Sequence, residues 1–203
     1  MKRFVLLTVI LLFAVSIALA QTLTQAERDR AAKHLEGTRK MFLDATAALT
    51  PEQWEFKPAP ERWSLAECAE HIAVSEDVIL QLIKERILTA PATPEQKEAA
   101  RGKDDQVVKM IPDRSQKFQA PEMLQPTRRF ATTEELVKHF KESRARSMDY
   151  VKTSQDDLRG HFFDHPVMKT LDAYQWVLLM SAHTERHVKQ MLEVKEDPNF
   201  PKK

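Results

Sequence analysis

The chain has 203 residues, 31 lysines and arginines against 30 aspartates and glutamates, and a formal charge of +1. Near-neutrality without a basic cluster argues against nucleic acid as the main partner, because a phosphate-binding face shows as a basic excess. A single cysteine, Cys68, excludes an internal disulfide, so an exported form must be held by packing or by a bound ion.

The first element is MKRFVLLTVILLFAVSIALA, residues 1–20, with a basic tip at Lys2 and Arg3 and an apolar run that closes on Ala18-Leu19-Ala20. This is the pattern of a secretory signal peptide cleaved after Ala20, and the run is short of the roughly 20 apolar residues of a membrane span. An uncleaved anchor is the alternative. Cys68 lies far from the cleavage region, which excludes a lipoprotein. Cleavage leaves residues 21–203, enough for one domain with its own core. It also removes two of the 31 basic residues, leaving 29 against 30 acidic ones. The expected location is periplasmic or secreted, with no membrane contact after cleavage.

The remainder reads as helical. Glycine occurs 3 times in 203 residues, strand-like alternation is missing, and four segments carry apolar residues at spacings of three and four. The first helix is expected from Thr24 to Leu49, opening on a Thr24/Glu27 capping box and burying Ala31, Leu35, Thr38, Phe42, Ala45 and Leu49. The second starts at Ser64, boxed by Glu67, and carries Cys68, His71, Ser75, Val78 and Leu82 on its inward face. The third starts near Thr132, boxed by Glu135, with Leu136, Phe140, Met148 and Val151 apolar. The fourth begins after Thr170 and runs to about Val194.

Four such helices predict an all-α four-helix bundle. Helices two and three are separated by about 42 residues, Ala90 to Ala131, with five prolines, more than a tight turn requires. A chain returning along the whole bundle needs such a crossover, since a 25-residue helix is about 37 Å long and extended chain covers about 3.5 Å per residue. Helices two and three then run parallel. An up-down bundle carrying a disordered insertion fits the spacing equally well.

On helix four the inward stripe reads Trp176, Met180, His183, His187, Met191, Val194. Two histidines at i and i+4 aim both rings toward one point, which makes a bidentate grip for a metal. Without a cation, each would need its own hydrogen-bond partner among Met and Trp. A zincin protease is not indicated: Thr184 follows the first histidine, and Glu185 lies about 200° around the helix from it. A second His-x-x-x-His, His161 and His165, precedes Pro166, which disfavours helix there. The natural third ligand is His71. It stands about 10 Å from the start of helix two, while the midpoint of His183 and His187 stands about 13 Å from the end of helix four. If those helices are antiparallel neighbours, the three rings arrive at one level.

The stretches RWSLAECAEHI and AHTERHVKQM, with the approach DHPVMKTLDAYQW, resemble the DinB-like superfamily of bundle proteins, which includes bacillithiol S-transferases and mycothiol-dependent maleylpyruvate isomerases. The resemblance covers nearly all of residues 21–203. It implies an up-down-down-up bundle with a long crossover between helices two and three, and one divalent ion held by three residues. Those roles fall on His71, His183 and His187. The ion is expected to be zinc, nickel, iron or manganese.

Three imidazoles leave one position for water or substrate, the arrangement of catalytic sites. The enzymatic expectation is metal-dependent hydrolysis or transfer of a small thiol. The thiol cosubstrates of characterised relatives are cytosolic, so an export signal favours the hydrolytic version. The competing expectation is a non-catalytic binding protein with a structural ion. Glu36, Glu76 and His34 are candidate partners behind the ligands, Gln190 and Arg186 flank the histidines and either touch a substrate or rim the helix, and Cys68 is a thiolate candidate or a small core residue. Trp54, Phe56 and Trp63 either cover the bundle end or feed a homodimer face.

Overall fold

Each long helix opens on a polar side chain that accepts one of its first free backbone N–H groups. The computed structural model describes residues 22–202, and the signal sequence read at 1–20 lies outside the described residues. In chain order the helices are α1 (Gln25–Thr46), α2 (Pro51–Glu55), α3 (Leu65–Leu82), α4 (Pro94–Ala100), α5 (Asp104–Met110), α6 (Thr133–Thr153) and α7 (Ala173–Lys195). A two-stranded hairpin, β1 (Phe162–His165) and β2 (Lys169–Asp172), precedes α7. Thr24 with Glu27 and Ser64 with Glu67 form the expected capping boxes on α1 and α3. At Thr132 the hydroxyl accepts the Glu135 N–H, but the Glu135 carboxylate turns to the Ala131 N–H at 3.1 Å. α1 stops at Thr46, short of the expected Leu49, and Ala48 turns the chain at φ 51°. No described helix is long and apolar enough to cross a membrane.

Cross-helix contacts fix the directions. The start of α1 meets the end of α6, where Arg28 donates to the carbonyls of Val151 and Ser154 at 2.8 and 2.7 Å. Phe42, late in α1, stacks on Phe140, early in α6, so these two are antiparallel. α1 and α7 run parallel: Tyr174 reaches the Glu27 carbonyl at 3.0 Å, and Thr38 meets Ser181 at 3.2 Å. The start of α3 packs with the start of α6 and the end of α7, through Leu65, Ala69, Leu136, Val188 and Val194. Its far end, Ile79 and the wider π turn Ile83–Ile87, packs with Val151 and Leu178. The bundle is therefore up-down-down-up, with α3 parallel to α6 and antiparallel to α7.

A charged layer separates these two apolar clusters. Arg144 on α6 is 0% exposed and Glu76 on α3 is 1% exposed. Arg144 Nε and Nη2 donate to the two Glu76 oxygens at 2.8 and 2.7 Å, Nη1 to the Leu35 carbonyl and Thr38 Oγ1 at 2.7 Å each, and Nη2 to Thr184 Oγ1 at 2.8 Å. All five guanidinium donors are used, and their acceptors lie on α1, α3 and α7. One side chain thus ties four helices.

The crossover is ordered, which replaces the alternative of a disordered insertion. It holds α4, α5 and a 3-10 turn at Glu122–Leu124. Arg186 on α7 donates to the carbonyls of Ile111, Asp113 and Gln116, and Lys103 to those of Met168 and Thr170 at 2.9 Å. The hairpin departs from the wholly helical expectation. Its strands pair antiparallel from Phe162↔Asp172 to His165↔Lys169, and Lys169 takes φ 58°. Four residues per strand are too few to show period-two alternation. β2 also moves the start of helix four to Asp172, whose carboxylate accepts the Gln175 N–H at 2.7 Å.

Candidate metal centre

His71 is carried on the inward face of α3, two turns from the Ser64 cap, and is 2% exposed. His183 and His187 stand one turn apart on α7 and are less completely buried than His71. Because α3 and α7 are antiparallel, the three rings meet at one level. Their centroids are 4.9, 4.3 and 4.5 Å apart, and one nitrogen from each lies within 4.8 Å of the other two.

Hydrogen bonds set which nitrogen faces inward. The Leu124 carbonyl can only accept, so His71 Nδ1 donates to it at 2.7 Å, leaving a lone pair at Nε2 in the neutral ring. That Nε2 lies 3.1 Å from His183 Nε2. His187 Nδ1 is 2.9 Å from Gln190 Oε1. Arg114 Nη1 donates to the same oxygen at 3.3 Å, which marks it as the carbonyl end of the amide and makes His187 Nδ1 the donor. Arg114 is itself held by both Glu193 oxygens at 2.6 and 2.8 Å. Outward N–H groups anchored on carbonyls, with lone pairs turned toward a common point, are the arrangement in which histidines bind metal. Two nitrogens each about 2.0–2.1 Å from one tetrahedral ion would be about 3.3 Å apart, close to the 3.1 Å between His71 and His183.

The electrical environment favours neutral rings. Burial holds His183 and His187 well below the ordinary imidazole range, and neighbouring rings and Arg186 push the same way. Burial also lowers His71, against the opposing hydrogen bond to Leu124. Trp63 closes one side, its ring 4.9 Å from His71 and 6.0 Å from His187.

Glu70, next to His71, turns away from the cluster as its place on the helix implies, and fastens the crossover. Its oxygens accept the backbone N–H groups of Thr127, Arg128 and Arg129 at 2.8, 2.9 and 3.3 Å, around Arg128 at φ 61°. Glu70→Gln replaces one acceptor oxygen by a donor and removes the charge. Trypsin is expected to cleave after Arg128 or Arg129 roughly tenfold faster in this variant, with helix content by circular dichroism unchanged. Equal cleavage rates would show that other contacts hold the segment.

Other residues singled out in the sequence have different roles. The sequence places Gln190 and Arg186 only at the flanks of the histidines, within reach of a substrate; Gln190 instead orients His187, and Arg186 secures the crossover. Glu76 belongs to the Arg144 layer, and Glu36 pairs with Arg39 at 3.2 Å on the surface. His34 does not join the cluster. Cys68 is a core residue whose thiol is pushed up by burial. His165 lies in β1, its Nδ1 accepting the N–H groups of Val167 and Met168 at 3.2 and 3.1 Å, and burial pushes it down to about 4. His161 stands 3.3 Å from the Ala90 carbonyl, so this second pair forms no clip. Trp54 is buried and Phe56 meets Phe200 edge to face at 5.5 Å, both covering the bundle end.

An up-down-down-up bundle with a trio of histidines between its second and fourth long helices defines a class of helical proteins with an imidazole cradle fit for one divalent ion. The chain belongs to the DinB superfamily, whose family pattern matches residues 34–191. It is 26% identical over 148 residues to the protein YuaE of Bacillus subtilis, covering 73% of this chain and 86% of that one. The solved structure of YfiT from Bacillus subtilis, described as "a probable metal-dependent hydrolase with an unusual four-helix bundle topology", is similar in fold at a TM-score of 0.54 and 12% identity. That likeness covers 89% of this chain and 93% of YfiT.

Proposed function

We propose that this protein is an exported member of the superfamily that binds one divalent cation through His71, His183 and His187 and acts on a small molecule by metal-dependent hydrolysis or group transfer. The observation that carries this reading is the convergence of three rings with two of their Nδ1–H groups committed to carbonyl acceptors. The description of YfiT as a metal-dependent hydrolase agrees with the hydrolytic version. Export rests on the residues 1–20 pattern.

The cation would supply Lewis acidity, polarising a carbonyl or phosphoryl oxygen or lowering the pKa of a water or thiol. The chain supplies orientation and shielding. Leu124 and Gln190 hold two rings in the tautomer that presents Nε2, Trp63 keeps bulk water from one side, and Arg186 places a fixed positive charge beside His187. Among the described residues no carboxylate joins the histidine cluster. That favours, as a second reading, a structural ion tying α3 to α7.

Turnover on ester, phosphoester and thiol-conjugation panels, set against melting with and without chelator, separates the two. Activity that chelator removes and a divalent cation restores is expected. A large chelator-induced drop in melting temperature with no turnover on any panel would favour the structural ion.

A further inference from the structure

Helical hydroxyls in this protein commonly bond to the carbonyl one turn back, as Thr46 does to Phe42 at 2.9 Å, Ser147 to Ser143 at 3.2 Å and Thr184 to Met180 at 3.2 Å. Ser75 on α3 does not. It is 1% exposed, and its Oγ has no hydrogen-bond partner, the His71 carbonyl one turn back included. A buried hydroxyl left unpaired costs free energy and calls for a reason.

Its place on the helix supplies one. Ser75 follows His71 by four residues, so both side chains lie on one stripe with Cβ atoms about 5–6 Å apart. Each Cα–Cβ bond tilts toward the helix N-terminus, so the Ser75 side chain leans back over the turn that carries His71. Since α7 is antiparallel to α3, the step from His71 toward Ser75 runs in the same direction as the step from His187 to His183. The 3-10 turn Glu122–Leu124, which takes the His71 proton, packs on α3.

We propose that the Ser75 hydroxyl is a ligand-binding group of the histidine centre, donating a hydrogen bond to an oxygen-donor ligand, a carboxylate or its analogue, held at the cation's remaining position. This rests on the reading of the three histidines as a metal site. The hydroxyl stays unpaired in the folded chain because its partner arrives with the ligand. Stability is given up at a functional position, as is common at binding sites.

The test compares the wild-type protein with Ser75→Ala, both loaded with cobalt(II) and titrated with acetate while the visible cobalt bands are followed. One cobalt per chain is expected in both, with the acetate dissociation constant raised about tenfold in the variant. Metal-free Ser75→Ala is expected to melt at or above the wild-type temperature, because an unpaired polar atom has been removed. Equal acetate affinities, no acetate response in the loaded wild type, or a lower melting temperature of the metal-free variant would overturn the assignment. A wild-type protein that takes up no cobalt would instead overturn the metal reading, and this inference with it.

Discussion

His71→Ala is expected to leave the protein unable to retain a divalent cation, with elemental analysis falling from one ion per chain to none. The other two candidate ligands share one helix, and His183 with His187 alone is a two-point grip on the face of α7. His71 is the candidate ligand that reaches across from α3. Loss of a mere outer partner of a ligand costs roughly 10–100-fold in affinity, so loss of a ligand should exceed about 100-fold by calorimetric titration. The four long helices should persist, because their caps and the Arg144 layer do not involve this ring. Equal metal in the variant and the wild type would end the proposal that these three histidines form the site.

Glu76→Ala is expected to be the most destabilising single change in the bundle interior. Without Glu76 the Arg144 guanidinium would be left as an unpaired charge in a place with no access to water. Breaking such a pair from one side costs about 3–5 kcal/mol. For a domain of this size that corresponds to a fall of roughly 10 °C in melting temperature. The double replacement Glu76→Leu with Arg144→Met should recover most of the loss, since exchanging both charges for apolar groups leaves nothing unpaired. A Glu76→Ala protein within about 1 kcal/mol of wild type by urea unfolding would mean that water or a rearranged acceptor reaches Arg144.

The four long helices could be read from the order of the residues because their signals are local. Thr24 with Glu27 and Ser64 with Glu67 sit three apart, and the apolar stripes recur within single helices. The meeting of His71 with His183 and His187 was also legible, because it needed only distances along two helices and the assumption that they are antiparallel neighbours. The crossover length allowed that arrangement but fitted an up-down bundle with an insertion equally well, and resemblance to the superfamily decided between them. What escaped detection depends on partners remote in the chain or on backbone atoms. The acceptor for His71 is a carbonyl of Leu124, and any residue type offers the same atom there. Glu70 serves N–H groups 57 to 59 residues further on. Arg144 did leave a trace: it occupies the apolar stripe of α6 midway between Phe140 and Met148, and a cation at such a position calls for a buried anion on a neighbouring helix. The hairpin left none, since FFDH and KTLD flank a proline and are too brief to alternate.

If the proposed ion binds, the bond from His71 Nδ1 to the Leu124 carbonyl would make it and the long connector thermodynamic partners. A cation withdrawing electron density at Nε2 would render the opposite N–H a stronger donor, so ion uptake would tighten the connector's seat on α3. Reciprocity then requires that whatever lifts the connector off α3 loosens the ion by the same factor. The segment that closes the bundle thereby becomes a handle on its charge.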